Sequence, residues 1–342
     1  MRHSKSLRDK IIRLIEEAGP RGVSQREIVF LTGASKGYVS DLMDELERKG
    51  LVVRYRGPGR IVYVRHARYV HPITGKHIRI GVVRASEYVF IPYLMKSLRE
   101  SGYNVELVVF KRVLDVARSL SRGEIHMGMI PVYTQIGYRA YGAPIKMIPG
   151  GALGGGFIAS RESLEEFDRV EKILIASSPL STMEVLSHAL MRSLRVSYEI
   201  RYYTEPSEVV EKLYSREIHA VSVWEPYVSE KISGARDLKI TSFRDLLGEY
   251  HCCTLAIHEN LMLGMYDSIS RIYTEAIERS RRNIDQATSL YSELIGIDRD
   301  VLRKSLKEYH FIEQIDHSMI SRLIKLGGGY MISEDTLREL VS

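Results

Sequence analysis

The stretch LERKGLVVRYRGPGRIVYV, residues 46–64, joins the end of a helical pattern to a basic hairpin. Gly50 stands where helices commonly end in a left-handed residue. Residues 51–56 and 60–65 then alternate in polarity on either side of Gly57-Pro58-Gly59, as two strands joined by a tight turn do. We therefore predict a helix that is followed at once by a two-stranded hairpin.

Three helical patterns contribute to this N-terminal region. Apolar residues recur at helical spacing from Leu7 to Ile15, and Gly19-Pro20 stops that run. Ser24 followed three residues later by Glu27 is the pattern of a capping box, which opens a short helix. The second and third helices are predicted at residues 25–31 and, with Ser35 as N-cap, up to Lys49.

The excess positive charge of the chain lies in the same segment, residues 1–65, which we call the head. It carries 14 Lys and Arg against 8 Asp and Glu, whereas residues 66–342 carry 35 of each. The net charge of +6 for the whole chain is therefore a property of the head. A local basic surface is the electrostatic footprint of a polyanion such as DNA.

Helix, helix-turn-helix and basic hairpin together resemble the winged helix-turn-helix family over residues 5–65. The resemblance implies that the third helix enters the major groove of double-stranded DNA and that the hairpin, or wing, contacts phosphates. The residues that it assigns to DNA binding are Ser35, Lys36, Tyr38 and Ser40 on the helix and Arg54, Arg56 and Arg60 on the wing. A winged helix that contacts another protein through the same basic face is the alternative.

Residues 78–342, which we call the body, follow a linker predicted at residues 66–77. Strand-like and helical patterns alternate at the start of the body, and such alternation predicts an α/β fold with a largely parallel sheet. The strands are predicted at residues 78–84, 105–110 and 127–130, and the helices at residues 91–101 and 113–121.

One pattern occurs twice in the body. LSRGEIH at residues 120–126 and LYSREIH at residues 213–219 each precede an apolar run and then a group of larger side chains. Each copy predicts a helix, a tight turn and a strand. Because ligands of open α/β sheets bind beyond the carboxyl ends of strands, two copies imply two similar lobes with a cleft between them.

Three segments in chain order carry a resemblance to a known family: FKRVLDVARSLSRGEIHMGMIP (110–131), ASSPLSTMEVLSHALM (176–191) and SREIHAVSVWEPYVSE (215–230). Residues 78–315 resemble type II substrate-binding proteins of nitrate-, sulfonate- and taurine-type ABC transporters, and the related pyrimidine-precursor proteins of thiamine metabolism. The resemblance implies a two-lobed α/β domain that closes on a small molecule, with chain crossings near residues 150–159 and 246–255. His126 and His219 depart from the family, which usually has Asp at these positions.

The ends of the predicted strands supply the candidate ligand-binding residues. Hydroxyls and backbone N–H groups at residues 177–182 suit an anion at the start of a helix, and aromatic side chains with a carboxylate suit a ring-containing ligand. The candidates are Ser86, Tyr88, Thr134, Gln135, Ser177, Ser181, Thr182, Tyr203, Trp224 and Glu225. As alternatives, the hydroxyl residues only cap helices and Trp224 only packs the lobes together.

The two cysteines are adjacent, Cys252 and Cys253, and follow His251. Neighbouring residues of a strand point to opposite faces, so we expect these cysteines to be buried and structural and not to bind one metal ion together. The sequence predicts no metal site, no cofactor and no catalytic residue.

These observations predict an α/β protein that is a ligand-responsive transcriptional regulator, with a DNA-binding winged helix at 1–65, a linker at 66–77 and a two-lobed ligand-sensing domain at 78–342. The expected effector is a pyrimidine, a sulfonate or another small anion or heterocycle. We expect a cytoplasmic homodimer without membrane contact, because no signal-peptide pattern or run of about 18 apolar residues is present and one basic head binds DNA weakly. The alternatives are an enzyme of pyrimidine, thiamine-precursor or related cofactor biosynthesis that carries a DNA-binding head, and a binding protein whose head docks on another protein.

Overall fold

The structure of the protein is a computed structural model that describes residues 6–19, 22–49, 51–56, 61–67, 76–232, 234–235, 237–262 and 264–327. Of Tyr55 and Arg56 it describes only the backbone. The predicted hairpin turn and most of the predicted linker therefore lie outside the described residues. None of the helices within the described ranges is long and apolar enough to cross a membrane.

The described part of the head contains α1 (Leu7–Glu17), β1 (Val23–Ser24), α2 (Gln25–Thr32), α3 (Lys36–Arg48), β2 (Val52–Arg56) and β3 (Val62–His66). Ser24 and Glu27 form the predicted capping box, in which the backbone N of Ser24 donates to Glu27 Oε2 at 2.8 Å and the backbone N of Glu27 donates to Ser24 Oγ at 3.1 Å. The strands form an antiparallel sheet in the order β1-β3-β2, so β2 and β3 are the two strands of the hairpin. Buried side chains from the helices and the sheet form one core, which includes Ile11, Ile15, Ile28, Met43, Leu46 and Val64.

The first lobe begins with β4 (His77–Val83), α4 (Ile91–Glu100), β5 (Asn104–Phe110), α5 (Val113–Ser121), β6 (Met127–Pro131), α6 (Val132–Ala140), β7 (Ile145–Met147) and β8 (Gly151–Gly154). Strands β5 and β6 both pair with β4 in parallel, which agrees with the predicted alternation of strands and helices. Parallel strands need a crossover connection, and helices α4 and α5 are part of those connections.

The second lobe contains β9 (Gly156–Ser160), β10 (Ile173–Ser177), α7 (Thr182–Leu194), β11 (Tyr198–Tyr202), α8 (Val209–Tyr214), β12 (Ala220–Trp224), β13 (Lys239–Ser242) and α9 (Phe243–Leu247). Its sheet has the order β11-β10-β12-β9-β13, with β10 parallel to β11 and β12. The second copy of the internal repeat ends in β12, as the first copy ends in β6.

The chain then returns to the first lobe through β14 (His251–His258), α10 (Tyr266–Arg282), α11 (Ile284–Ile295), α12 (Arg299–Ser305), β15 (Tyr309–Ile312) and α13 (His317–Leu326). The first-lobe sheet has the order β15-β8-β14-β6-β4-β5, with β7 paired to β14. The crossings between the lobes therefore lie at Gly155 and at residues 248–250, within the predicted ranges. After the helices α10 to α12, Tyr309 begins a strand that pairs with Gly154.

Helix α13 packs on both lobes. A buried apolar cluster joins Ile320 and Leu323 of α13 to Val132 of α6 in the first lobe and to Val185 of α7 in the second. Residues 328–342, at the end of the predicted ligand-sensing domain, lie outside the described residues.

The head contacts the first lobe through β3. Arg65 of β3 is only 5% exposed and lies close enough to His258, at the end of β14, to act on it electrostatically. Burial of the His258 ring, followed by the charges of Arg65 and His126, lowers the pKa of His258 to about 3. Val53 of β2 also packs against the apolar core of the body. The head therefore packs against the first lobe.

Candidate functional site

The amino-terminal turn of α3 is accessible to solvent. Ser35 caps this helix, because its Oγ accepts a hydrogen bond from the backbone N of Tyr38 at 3.1 Å. Lys36, Tyr38 and Ser40 are exposed, whereas Val39 is buried in the head core. The α3 residues that the sequence assigns to base contacts are thus exposed at the positive end of the helix dipole.

A groove with a cavity volume of about 420 Å³ lies between α2, α3 and β3. Arg26 of α2 and Lys36 of α3 both line it, and both are exposed. Arg26 was not among the predicted DNA-binding residues. In the sequence, Arg26 is a single basic residue on an amphipathic helix. That pattern does not show that Arg26 shares a groove with Lys36.

Arg54, which the resemblance places against a phosphate, is held inside the head. Its Nη2 lies 2.6 Å from Asp44 Oδ1 and 2.6 Å from Glu47 Oε2, and 27% of its side chain is exposed. These carboxylates of α3 offset the charge of Arg54. The two ion pairs connect β2 to α3. The side chain of Arg56 and all of Arg60 lie outside the described residues.

Strand ends from both lobes meet at one cleft. The first lobe lines it with residues that follow β4 and with β14, and the second lobe lines it with the start of α7 and the end of β12. The lining side chains include Glu87, Tyr88, Cys252 and Cys253 of the first lobe and Ser181, Thr182, Met183 and Trp224 of the second. The enclosed cavity is only about 20 Å³ in volume, which is room for about one water molecule.

A second cavity, of about 170 Å³, adjoins the first and shares Val113 and Trp224 with it. Lys111 and Arg112 line this outer cavity together with Tyr203. Lys111 lies 2.5 Å from a carboxylate oxygen of Glu205, and Arg112 lies 2.7 Å from one of Asp115. Both of these cationic side chains of the outer cavity are therefore already engaged in ion pairs.

The two lobes are closed on each other by polar contacts. Thr182 Oγ1 donates to the carbonyl O of Cys252 at 3.4 Å, and Trp224 Nε1 donates to the carbonyl O of Arg84 at 3.2 Å. The Arg84 side chain donates to Glu230 through Nη1 at 2.7 Å, with 28% of the Arg84 side chain and 16% of the Glu230 side chain exposed. A molecule larger than water needs the lobes to separate before it can enter the inner cavity.

Comparison with known proteins finds a likeness for each of the two parts of the chain. Residues 11–60 match the model of the MarR family. The ligand-binding component of an ABC-type import system from Staphylococcus aureus, solved with zinc bound, has a similar fold, with a TM-score of 0.64 and 20% identity over 73% of this chain and 90% of that chain. No curated protein matches the sequence significantly.

Two further solved structures have the same fold as the body. The periplasmic aliphatic sulphonate binding protein of Escherichia coli has a TM-score of 0.58 and 15% identity, covering 75% of this chain and 86% of that chain. The periplasmic nitrate-binding protein of Synechocystis has a TM-score of 0.56 and 12% identity, covering 70% and 72%. A MarR-type winged helix precedes a binding-protein fold. At these identities the likeness establishes the fold of the body alone.

The candidate ligand residues occupy two kinds of position in this binding-protein fold. Tyr88, Ser181, Thr182 and Trp224 line the inner cavity, and Tyr203 and Trp224 line the outer one. The remaining candidates line neither cavity and are buried behind the cleft walls: Ser86, Thr134, Gln135, Ser177 and Glu225.

Several of these buried candidates hold the closed arrangement together. Thr134 Oγ1 donates to the carbonyl O of Leu180 in the other lobe at 2.6 Å, and the backbone N of Ser86 donates to the carbonyl O of Glu225 at 3.1 Å. Burial raises the pKa of Glu225 above its ordinary value, although the carboxylate accepts hydrogen bonds from Ser229. These residues stabilise the closed cleft.

A cluster in the cleft wall departs from the sequence-based expectation for the cysteines. Cys252 Sγ and Cys253 Sγ lie 3.6 Å apart, and Cys252 Sγ lies 3.9 Å from Glu87 Oε1. The register of β14 against β8 shifts between His251 and Cys253, and such a bulge breaks the alternation of side chains along a strand. The expectation that the cysteines point to opposite faces is therefore wrong.

Burial raises the pKa of Glu87 to about 7. The hydrogen bond with Cys253 acts to lower the pKa of Cys252, but burial and the neighbouring Glu87 outweigh it and raise that pKa to about 11. At neutral pH the Cys252 thiol is therefore protonated, whereas the Glu87 carboxyl group is close to the midpoint of its titration. Glu87 follows β4 and directly precedes the apolar run at residues 88–95, and this lone carboxylate was the signal that the sequence offered.

Proposed function

We propose that the protein is a ligand-responsive transcriptional regulator, a cytoplasmic homodimer that binds double-stranded DNA through its heads and a small molecule in the cleft of its body. The observation that carries the proposal is the exposed amino-terminal turn of α3 on a MarR-type winged helix that is joined to a two-lobed binding-protein fold. The DNA contacts are assigned to Ser35, Lys36, Tyr38 and Ser40 of α3, with Arg56 and Arg60 on the wing.

The contact between the head and the first lobe supports coupling between the two parts. Because Arg65 of β3 is buried beside His258 of β14, the head has a fixed neighbour in the first lobe. A ligand that favours one arrangement of the lobes then shifts the population of that arrangement, and in a dimer this alters the spacing of the heads. The proposed effector is a pyrimidine, a sulfonate or another small anion or heterocycle.

The cleft supports binding of such a molecule in an opened state. Aromatic side chains of both lobes, Tyr88 and Trp224, face the same cavity as the hydroxyls of Ser181 and Thr182. Apolar surfaces with a few polar groups that fix orientation are the common construction of small-molecule sites. The start of α7 adds backbone N–H groups that suit an anionic substituent.

DNA binding is tested by selecting duplexes from a random library and measuring their affinity by fluorescence anisotropy at several salt concentrations. We expect affinity to fall steeply with salt, and Lys36→Ala to weaken the selected duplex by about 1–3 kcal/mol. Lys212→Ala removes the same charge from an exposed site on the second lobe and is expected to leave affinity unchanged. Absence of salt-dependent binding to any duplex would refute the proposal and favour a head that docks on protein.

A further inference from the structure

The cluster of Glu87, Cys252 and Cys253 has the composition of a metal site. One donor atom from each of the three buried residues lies within 4.8 Å of the others. Glu87 Oε2 is buried and lacks a hydrogen-bond partner among the described residues. An unsatisfied buried carboxylate oxygen is costly, and a bound cation is one of the few partners that would satisfy it together with two thiols.

The spacing of the donor atoms agrees with one tetrahedral ion. Zn²⁺ holds thiolate sulfur at about 2.3 Å and carboxylate oxygen at about 2.1 Å, which places two sulfurs about 3.8 Å apart and a sulfur and an oxygen about 3.6 Å apart. The corresponding distances are 3.6 Å between the Sγ atoms and 3.9 Å between Cys252 Sγ and Glu87 Oε1. The donor atoms of Cys253 and Glu87 lie within 4.8 Å of each other.

We propose that Glu87, Cys252 and Cys253 bind a thiophilic divalent cation of the zinc class in the wall of the cleft. Soft thiolate ligands select such ions over Mg²⁺ and Ca²⁺, which prefer oxygen ligands. The ion binds as the thiol protons of Cys252 and Cys253, and the proton of Glu87 in the molecules where it is protonated, leave to solvent. Three protein donors leave the fourth tetrahedral position for water or for a group of the molecule that occupies the cleft.

The donors lie where the second lobe contacts the first, so the ion is linked to closure of the lobes. All three donors belong to the first lobe, and Thr182 of the second lobe donates to the carbonyl O of Cys252. Met183 and Trp224, also of the second lobe, line the same cavity. An exogenous ligand on the fourth position therefore meets the second lobe directly. The metal site itself does not depend on the proposed DNA binding.

The site is tested with Co²⁺ as the probe, added to the full-length reduced protein without oxygen. We expect one equivalent to produce thiolate-to-cobalt charge-transfer absorption and the intense visible bands of tetrahedral cobalt, and Zn²⁺ but not Mg²⁺ to abolish them. The chain has only two cysteines, so a thiolate band in the folded protein reports on Cys252 and Cys253.

Cys252→Ser and Cys253→Ser are each expected to lose the band of the bound dithiolate, and Glu87→Gln to weaken cobalt binding by about tenfold or more. His310→Gln, which removes an exposed histidine remote in sequence, serves as the control and is expected to bind like the unmodified chain. Circular dichroism and thermal melting establish that each variant is folded. If a serine variant does not fold, Glu87→Gln still decides the question, since full affinity in that variant contradicts the three-donor site.

A folded protein that gives no charge-transfer band with Co²⁺ also refutes the proposal. The charge-transfer band and the cobalt affinity are both measured without DNA. Failure of the metal site would therefore leave the regulator proposal standing, and failure of DNA binding would leave the metal site standing.

Discussion

Replacing Arg84 by glutamine is expected to open the cleft. The substitution removes the charged partner of Glu230 across the lobes, where the Arg84 and Glu230 side chains are 28% and 16% exposed. A hydrogen bond to a charged group contributes about 1.5–3 kcal/mol, and partial exposure favours the lower end of that range. A loss of about 1.5 kcal/mol from the closed state lowers the closed-to-open ratio by slightly more than tenfold.

The assay is hydrogen exchange of single backbone amides, followed by NMR. The amide of Ser86 donates across the lobes to Glu225, so its exchange reports on opening, whereas the amide of Tyr203 bonds to Ser177 within the second lobe. In Arg84→Gln we expect the Ser86 amide to exchange about tenfold faster and the Tyr203 amide to exchange at its original rate.

The matched control is Arg282→Gln, which breaks an exposed pair with Glu278 on one helix. Such surface pairs contribute about 0–1 kcal/mol, so the Ser86 amide should be unaffected. Unchanged exchange at Ser86 in Arg84→Gln would refute the role of the ion pair in closure. Equal acceleration at Tyr203 would show loosening of the whole body and would also count against it.

Three further predictions concern stability. Gly155→Ala is expected to lower the free energy of unfolding by several kcal/mol, measured by thermal or urea denaturation, because Gly155 has φ +75° and an added Cβ would lie 1.8 Å from Tyr309 Cε1. Gly296→Ala is the control. Gly296 has φ +69° with open space around it, so this substitution should lower the free energy of unfolding by only about 1 kcal/mol. Ser24→Ala should lower the stability of the head by about 1 kcal/mol, measured by urea unfolding, since it removes the acceptor of the helix cap. Because the pKa of His258 is lowered to about 3, the unfolded chain takes up a proton below pH 6.5 that the folded chain does not. Stability should therefore fall as pH decreases from 6.5 towards 3, by up to about 1.4 kcal/mol per pH unit, and His258→Gln should show a shallower dependence in acid unfolding experiments.

Local patterns predicted most elements of the fold. The apolar spacing within residues 113–121 gave the bounds of α5, and the Ser24 and Glu27 pair marked the start of α2. These elements follow from the side-chain period and from helix-end chemistry, which act over a few residues. The two chain crossings followed from the resemblance of the body to binding proteins.

Contacts between distant segments could not be predicted in this way. Arg54 was assigned to DNA from its place on a wing, but it forms ion pairs with Asp44 and Glu47 of α3. Likewise, a bulge in β14 brings Cys252 and Cys253 together, and a bulge depends on the register with a partner strand. The sequence alone contains no periodic signal for either arrangement.

Under the proposed function, the burial of Arg65 beside His258 would keep the first lobe with the head on DNA. The second lobe would then be the moving part. A dimer joined through its second lobes would convert each closure into a displacement of one operator half-site relative to the other. A dimer joined through its first lobes would keep the half-site distance constant, and the cleft could then act only through a third partner that recognises the second lobe.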